Sequence, residues 1–146
     1  MVRKTLALGL VICAAAGAYT ALAGASSSRN DRFTASLNRG QEVPKPKDVS
    51  VRASGRFTAT LSGSKLKWTL TFKHLTGKAT AAHIHSGKRG KAGIVLVPLC
   101  GPCKSGASGT AVVTSTEVKA MKKGELYVNV HTVKNPAGEI RGQIHG

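Results

Sequence analysis

The segment Lys65-Leu66-Lys67-Trp68-Thr69-Leu70-Thr71-Phe72-Lys73 alternates strictly between apolar and polar side chains. Because successive side chains of a β-strand point to opposite faces, this pattern predicts a strand with one face in the core and the other in water. The run from 51 to 61 alternates in the same way, and Ser62-Gly63-Ser64 separates the two runs. Together they predict an antiparallel β-hairpin.

Shorter segments of the same kind fill most of the remaining chain, with turn residues between them. They predict further strands at 33–37, 79–85, 94–97, 110–114, 126–133 and 140–144. One segment, Ser115 to Gly124, predicts a helix of about two turns, because it opens with N-cap residues and Glu117 and ends in lysines before glycine. Closely spaced short strands predict an all-β, antiparallel sandwich or barrel with this one short helix.

The N-terminus has the order of a secretory signal peptide. Basic residues at Met1-Val2-Arg3-Lys4 precede an apolar stretch from Thr5 to Ala23, and Ala21-Leu22-Ala23 and Ala23-Gly24-Ala25 are candidate cleavage sites. An uncleaved membrane anchor is the alternative, since the apolar stretch approaches a bilayer span. Cys13 would leave with the leader. We therefore predict a secreted or periplasmic protein with a signal peptide at 1–25, a linker at 26–31 and one domain at 32–146.

The chain is strongly basic, with 22 Lys and Arg against 6 Asp and Glu and a net charge of +16. Such a surface attracts polyanions in general. Outside the cytoplasm, these would be anionic envelope polymers or lipid headgroups. Sequence-specific binding of nucleic acid is not expected, because aromatic residues make up only 4% and no nucleic-acid-binding motif is present.

Three histidines carry the clearest chemical signal. His83 and His85 share one face of a predicted strand, while Ile84 lies on the other. His131 lies on a later strand that is able to pair nearby. Three imidazoles suit copper or zinc, and the affinity order of divalent metals favours copper. The alternative is that they form hydrogen bonds within the sandwich without a metal. His74 and His145 fall outside this set and are expected at the surface, with the alternative for His145, near the C-terminus, that it reaches a metal.

Cys100 and Cys103, in the string Cys-Gly-Pro-Cys, are the two remaining cysteines. In an oxidising compartment we expect a disulfide across a tight turn. The same string occurs at the active site of thioredoxins, but there it starts a helix, whereas glycines and serines follow here. As free thiols, the pair would instead supply soft ligands for Cu(I).

Two longer motifs carry a family resemblance. They are Ala82-His83-Ile84-His85-Ser86-Gly87 and the segment from Tyr127 to Ile144, which includes Tyr127-Val128-Asn129-Val130-His131-Thr132 and Asn135-Pro136-x-Gly138-Glu139-Ile140-Arg141-Gly142-Gln143-Ile144. These motifs resemble the CHRD domain, which is found as repeats in chordin and as single-domain secreted bacterial proteins. The resemblance extends from about Arg32 to Ile144. Most members of that family have no assigned activity, so it implies more about fold than about function.

The His-x-His strand, the later histidine and the closing Arg-Gly segment also resemble the copper side of copper/zinc superoxide dismutases, which are Greek-key β-sandwiches. This resemblance implies an immunoglobulin- or dismutase-like Greek-key sandwich. It matches His83, His85 and His131 to copper ligands and Arg141 to the arginine that guides the superoxide anion. However, no histidine occurs between Ser86 and Val130. The bridging histidine and the zinc ligands of the dismutases are therefore missing.

We interpret the chain as a secreted CHRD-domain binding protein with a copper site at the three histidines. One alternative is a copper-dependent redox enzyme of the superoxide dismutase type. A second is a metal-free envelope or adhesion module that uses its basic surface. A hydrolytic enzyme is not indicated, since six acidic residues leave little for general acid–base catalysis.

Overall fold

The computed structural model describes residues 31–146, so the predicted signal peptide lies outside the described residues. The first strand begins at Asp31, one residue before the predicted start of the domain. No helix within 31–146 has the length and apolar character needed to cross a membrane. The elements are β1 (Asp31–Asn38), a 3₁₀ turn (Arg39–Gln41), β2 (Ser54–Ser62), β3 (Lys65–Lys73), β4 (Ala79–Ser86), β5 (Val95–Cys100), β6 (Ala107–Val112), α1 (Ser115–Lys122), β7 (Leu126–Thr132) and β8 (Ile140–Gln143).

All eight strands belong to one antiparallel sheet in the order β5-β4-β7-β8-β1-β2-β3-β6. The sheet curls until its two edge strands, β5 and β6, come into contact, which gives a nearly closed, barrel-like sandwich. The prediction of an all-β antiparallel fold with one short helix is confirmed. The pairing of β4 with β7 matters most for function, because it brings the two histidine-bearing strands side by side.

The core is formed by the apolar residues of the alternating strands. In the β2–β3 hairpin, Ala59 lies opposite Trp68, and both side chains are buried. The polar residues that alternate with the buried ones along each strand, such as Lys67, face solvent. Burial of one face of every strand is the main force that closes the sheet, because the removal of apolar surface from water is the dominant favourable term in folding.

The predicted bounds of three strands were wrong. β2 begins at Ser54 rather than Val51, whose side chain is 77% exposed. β5 continues through Pro98. Proline lacks a backbone N–H, but it is tolerated here because β5 is an edge strand with a neighbouring strand on only one side. β6 begins at Ala107 rather than at Thr110, so it includes the small residues around Gly109.

The early start of β6 has a packing explanation. Gly109 pairs with Trp68, and a Cβ atom added at this glycine would lie 2.8 Å from Cζ2 of the indole. The absence of a side chain therefore lets the edge strand lie directly over the ring.

The predicted helix is confirmed and has a complete N-terminal cap. Thr114 Oγ1 accepts a hydrogen bond from the Glu117 backbone N–H, and the Glu117 carboxylate accepts one from the Thr114 N–H at 2.7 Å. This reciprocal arrangement satisfies backbone donors that the first turn would otherwise leave without a partner. Met121 anchors the helix to the core.

We predict that Gly109→Ala lowers the free energy of unfolding by about 1–3 kcal/mol, because the added methyl group overpacks the contact with Trp68. Gly77→Ala is the matched control, since nothing lies within 4 Å of its Cβ position. Urea unfolding of both variants checks this. A Gly109→Ala variant as stable as the control would mean that β6 is free to move off the indole.

Candidate metal centre

The site lies on the outer face of β4, β7 and β8. The register pairs His83 with Asn129 and His85 with Tyr127, and it pairs Asn129 in turn with Arg141. Because paired residues in a sheet share a face, these side chains form one polar layer. The residues between them point into the core. This layer contains all four of the predicted metal-binding and anion-guiding residues.

The structure brings the three predicted histidines together. One ring nitrogen from each of His83, His85 and His131 lies within 4.8 Å of the others. The closest approach joins His83 Nδ1 and His131 Nε2 at 3.2 Å. The ring centroids are 5.0, 5.6 and 5.7 Å apart, so the three rings form a compact triangle rather than a row.

Backbone carbonyls fix the orientation of two of these rings. His85 Nδ1 donates to Gly93 O at 3.1 Å, and His131 Nδ1 donates to Pro136 O at 3.0 Å. Since a carbonyl can only accept, each Nδ1 carries the proton and each Nε2 presents a lone pair. Nε2 of His85 is buried and has no hydrogen-bond partner. In these two rings, therefore, one nitrogen forms a hydrogen bond to the protein and leaves the other available, as is typical of a metal ligand.

The electrostatic surroundings keep the histidines neutral. Burial is the largest cause that lowers the pKa of all three below its usual value. For His83, the charges of His131 and His85 lower the pKa further, whereas the carbonyl bonds to His85 and His131 partly offset the effect of burial. A neutral imidazole is the form that binds a metal ion.

The donor set fits one small transition-metal ion. Histidine nitrogens lie about 2.0–2.1 Å from such a metal, which corresponds to nitrogen–nitrogen separations of about 3.3 Å in a tetrahedral site. The 3.2 Å between His83 and His131 already meets this requirement. The remaining separations, at most 4.8 Å, need only small ring rotations to close.

Most of the sequence is covered by a known family. The profile of the CHRD domain matches residues 33–144. The chain belongs to the CHRD domain family. The resemblance identified from the motifs is thus confirmed over nearly all described residues. No curated protein and no solved structure gave a match.

Arg141 of this CHRD domain lies beneath the site rather than at its mouth. Its guanidinium carbon is 3.4 Å from the centroid of the Tyr127 ring, and Tyr127 stacks on His85 with centroids 5.0 Å apart and planes 12° apart. The side chain of Arg141 is only 1% exposed. Its guanidinium therefore supports the histidine layer from within and is not presented to an anion in solvent.

The glycine-rich loop between β4 and β5 covers this layer. Side chains of the layer hold this loop at several points. Arg141 Nη2 donates to Lys88 O at 3.0 Å, Gln143 Nε2 donates to Gly87 O at 2.7 Å, and Gly93 N donates to Tyr127 Oη at 3.2 Å. Only glycine fits at 93, because a Cβ atom there would collide with the Ser86 carbonyl. The loop thus positions the carbonyl that orients His85.

Glu42 is a buried carboxyl group that sequence reasoning missed. It lies beside Asn129, whose Nδ2 donates to Glu42 Oε2 at 3.3 Å. Burial raises the pKa of Glu42 to about 8, and the charge of Arg141 and hydrogen bonds from Asn129 and the Val43 backbone only partly counter it. Oε1 of Glu42 and Oδ1 of Asn129 have no partners. A proton on Glu42 supplies the donor that this pair of acceptors lacks.

Glu139 organises the turn that carries Pro136. Its carboxylate accepts hydrogen bonds from the Thr76 N–H and hydroxyl, from Thr132 Oγ1 and from Asn135 Nδ2, at 2.6–3.1 Å. Burial alone would raise the pKa of Glu139, but these bonds lower it below its usual value. The turn after β7 is therefore tied to the β3–β4 connection. This holds the Pro136 carbonyl against His131.

The other predicted residues lie away from this centre. Cys100 and Cys103 form the expected disulfide, with Cα atoms 5.3 Å apart, so they are not available as thiol ligands. His74 and His145 are exposed, as predicted. Neither belongs to the histidine cluster.

The residues that sequence reasoning missed are those that position the ligands. Gly93 and Pro136 act through backbone carbonyls, which leave no signature in a sequence. Tyr127 shares the histidine face of its strand, but its contact with Arg141 depends on the pairing of β7 with β8. A carboxylate just before Val43-Pro44 was the one signal that could have pointed to Glu42.

We predict that the unfolding free energy of the wild type falls by about 1 kcal/mol relative to that of Glu42→Gln between pH 7 and pH 8. The folded pKa of about 8 lies above the ordinary value of 4.5, so the folded state holds a proton that the unfolded state has released. Stability from this group is complete below the unfolded pKa and is lost as pH rises through the folded one.

The three clustered histidines do not affect this comparison. Their folded pKa values are lowered from 6.5, so the unfolded chain still binds slightly more protons near pH 7, but this contribution is the same in the wild type and in Glu42→Gln. Urea unfolding at both pH values makes the measurement. Equal pH dependence in wild type and Glu42→Gln would show that Glu42 is ionised in the folded protein.

Proposed function

We propose that this CHRD domain is a metal-binding module that works outside the cytoplasm and holds one copper ion through His83, His85 and His131. One observation supports this most directly. The three imidazoles converge while backbone carbonyls hold the outer nitrogens of two of them, and the buried Nε2 of His85 has no partner. An unsatisfied buried acceptor costs about 1–3 kcal/mol. A bound metal ion would remove that cost.

The donor chemistry favours copper. A site of three neutral imidazoles, without thiolate or carboxylate among the clustered ligands, suits copper and zinc, and copper binds nitrogen sites more tightly. One consequence concerns His83, whose Nδ1 faces the lone pair of His131. In the metal-free state this Nδ1 donates its proton to His131. If His83 held the metal ion through Nδ1, this proton would have to move to Nε2 of the same ring.

The proposed location agrees with independent features. CHRD domains are extracellular. The Cys100–Cys103 disulfide is of a kind that persists in oxidising compartments. The first 25 residues have the sequence pattern of a secretory signal peptide.

The test is a titration of the purified protein with Cu(II) and Zn(II), followed by calorimetry and by electron paramagnetic resonance of the copper form. We expect one tightly bound equivalent of Cu(II), with a spectrum that shows nitrogen ligands, and weaker binding of Zn(II). The His83→Ala/His85→Ala double variant should lose this equivalent, because one imidazole cannot hold the ion.

His74→Ala/His145→Ala is the matched control, since it also removes two imidazoles but leaves the cluster intact. Copper binding that survives in the His83→Ala/His85→Ala protein would refute the assignment. Superoxide turnover by the copper-loaded wild type, lost in His131→Ala, would favour the redox enzyme over the binding module. The buried position of Arg141 gives that enzyme no exposed guanidinium at the site.

The basic surface supports a second candidate function, the binding of anionic envelope polymers or lipid headgroups. Only two ion pairs occur within 31–146, Lys88–Glu125 and Lys122–Asp31. On the outer face of β1, β2 and β3, the register aligns Arg32 with Thr60 and Lys67, and no carboxylate lines this groove. This face therefore offers unpaired cations among hydroxyl groups.

We predict that the protein binds a heparin column and that Lys67→Glu elutes at lower salt than Lys123→Glu, which makes the same change in net charge on the helix side. Retention should fall steeply with salt, because exposed charges are screened. Equal elution of the two variants would indicate that net charge alone, and not the β1–β3 face, governs the binding.

A further inference from the structure

A second concave site lies far along the chain from the histidines, where β3 leads into β4 and β5 leads into β6. It is a groove of about 770 Å³. This volume falls within the range of small-molecule sites, which often occur at the mouths of β-barrels. The apolar part of its lining is Phe72, Leu75, Ala79, Pro102 and Ala107, and the basic part is Lys73, His74, Lys78 and Lys104.

The walls of the groove are fixed by hydrogen bonds rather than left as free loops. Cys103 N donates to Ala79 O at 3.1 Å, and Phe72 N donates to Ser105 Oγ at 2.8 Å. Gly106 N donates to Leu70 O at 2.9 Å. With the Cys100–Cys103 disulfide, these bonds join the β5–β6 connection to the ends of β3 and β4. A ligand would therefore enter a cavity that is already formed.

The charge around the groove is of one sign. Lys73, Lys78 and Lys104 are exposed, and none of them forms an ion pair with another residue in 31–146. No carboxylate is part of the lining. His74 adds a polar ring at the rim and has a left-handed backbone, with φ of 58°. For a residue other than glycine this conformation is uncommon and tends to mark special positions.

The hydrogen bonding at the groove distinguishes between kinds of ligand. A peptide that bound in extended form would need free backbone donors and acceptors at the rim. The backbone N–H of Phe72 and the carbonyl of Ala79 already form hydrogen bonds within the domain. An aliphatic chain needs no such partners, because its binding energy comes from the removal of apolar surface from water.

We propose that this groove binds a single-chain amphiphilic anion, an aliphatic carboxylate whose chain lies along Phe72, Leu75 and Ala107 while its head group meets Lys73, Lys78 and Lys104. The site is independent of the histidine cluster. It gives the domain a ligand of defined chemistry in addition to the metal ion.

The test uses decanoate, kept below its micelle concentration, with the full chain. Calorimetry gives the affinity, and amide shifts in ¹H–¹⁵N spectra give the location. Decyltrimethylammonium is the matched probe with the opposite head-group charge. We expect decanoate to shift the amides of Leu75, Ala79 and Ala107, and the cationic probe to bind at least about tenfold more weakly. Equal affinity for both probes, or shifts elsewhere, would overturn the proposal.

Lys78→Glu should weaken decanoate binding by about tenfold. Lys123→Glu is the control, since it changes the net charge equally on the helix side, away from the groove. An unchanged affinity in Lys78→Glu would also overturn the proposal. Both side chains are exposed, so neither change threatens the fold.

Binding of the aliphatic chain is tested separately, by measuring the affinity for a series of carboxylates from hexanoate to decanoate. Each added methylene that enters the groove should raise the affinity by about threefold to fourfold. An affinity independent of chain length would show that the lysines bind the carboxylate alone, and that the groove takes no tail.

Discussion

The contact of Arg141 with the face of Tyr127 is the interaction on which the polar side of this β-structure depends. A guanidinium with 1% exposure has lost nearly all of its water, and such a loss costs several kcal/mol unless other groups compensate for it. The compensation comes from the aromatic ring at 3.4 Å, the Lys88 carbonyl and the side-chain oxygen of Gln143. Each of these partners lies on a different segment, so one buried charge fixes β7, β8 and the β4–β5 loop relative to one another.

The order imposed by Arg141 reaches the histidines through contacts. Tyr127 is held between the guanidinium and His85, and its hydroxyl accepts a hydrogen bond from Gly93. The carbonyl oxygen of the same glycine accepts a hydrogen bond from His85 Nδ1. The ring of His85 is therefore restrained on its face by Tyr127 and at its edge by the loop. On the other side of the cluster, Glu139 secures the turn that restrains His131. Both restraints come from residues other than the three histidines. They hold the imidazole rings in place without using the nitrogens that would bind a metal ion.

Much of this arrangement follows from sequence periodicity, and the rest depends on long-range pairing. A period of two predicts that His83 and His85 share one face of their strand, and the same parity puts Tyr127 and His131 on one face of theirs, because side-chain direction along a strand is fixed by backbone geometry. The alternation of Ile140, Gly142 and Ile144 with Arg141 and Gln143 likewise predicts that the two polar side chains face away from the core. That prediction of direction was right, but the sequence did not show that the β4–β5 loop would cover this face and bury Arg141. The burial of Glu42 was hidden for the same reason, since it depends on neighbours more than 80 residues away in the chain.

The state of the histidines without metal shows why the cluster suits a cation other than the proton. One proton between His83 and His131 satisfies both facing nitrogens, but it leaves His85 Nε2 without a donor. An additional proton would meet that need only by placing a positive charge in a buried site close to Arg141. Burial opposes this, and it lowers the pKa of all three rings below 6.5. Folded-state stability therefore declines as pH falls below 6.5, because the unfolded chain binds those protons more readily. A metal ion would accept all three lone pairs at once, and it would do so at the pH at which the rings are neutral.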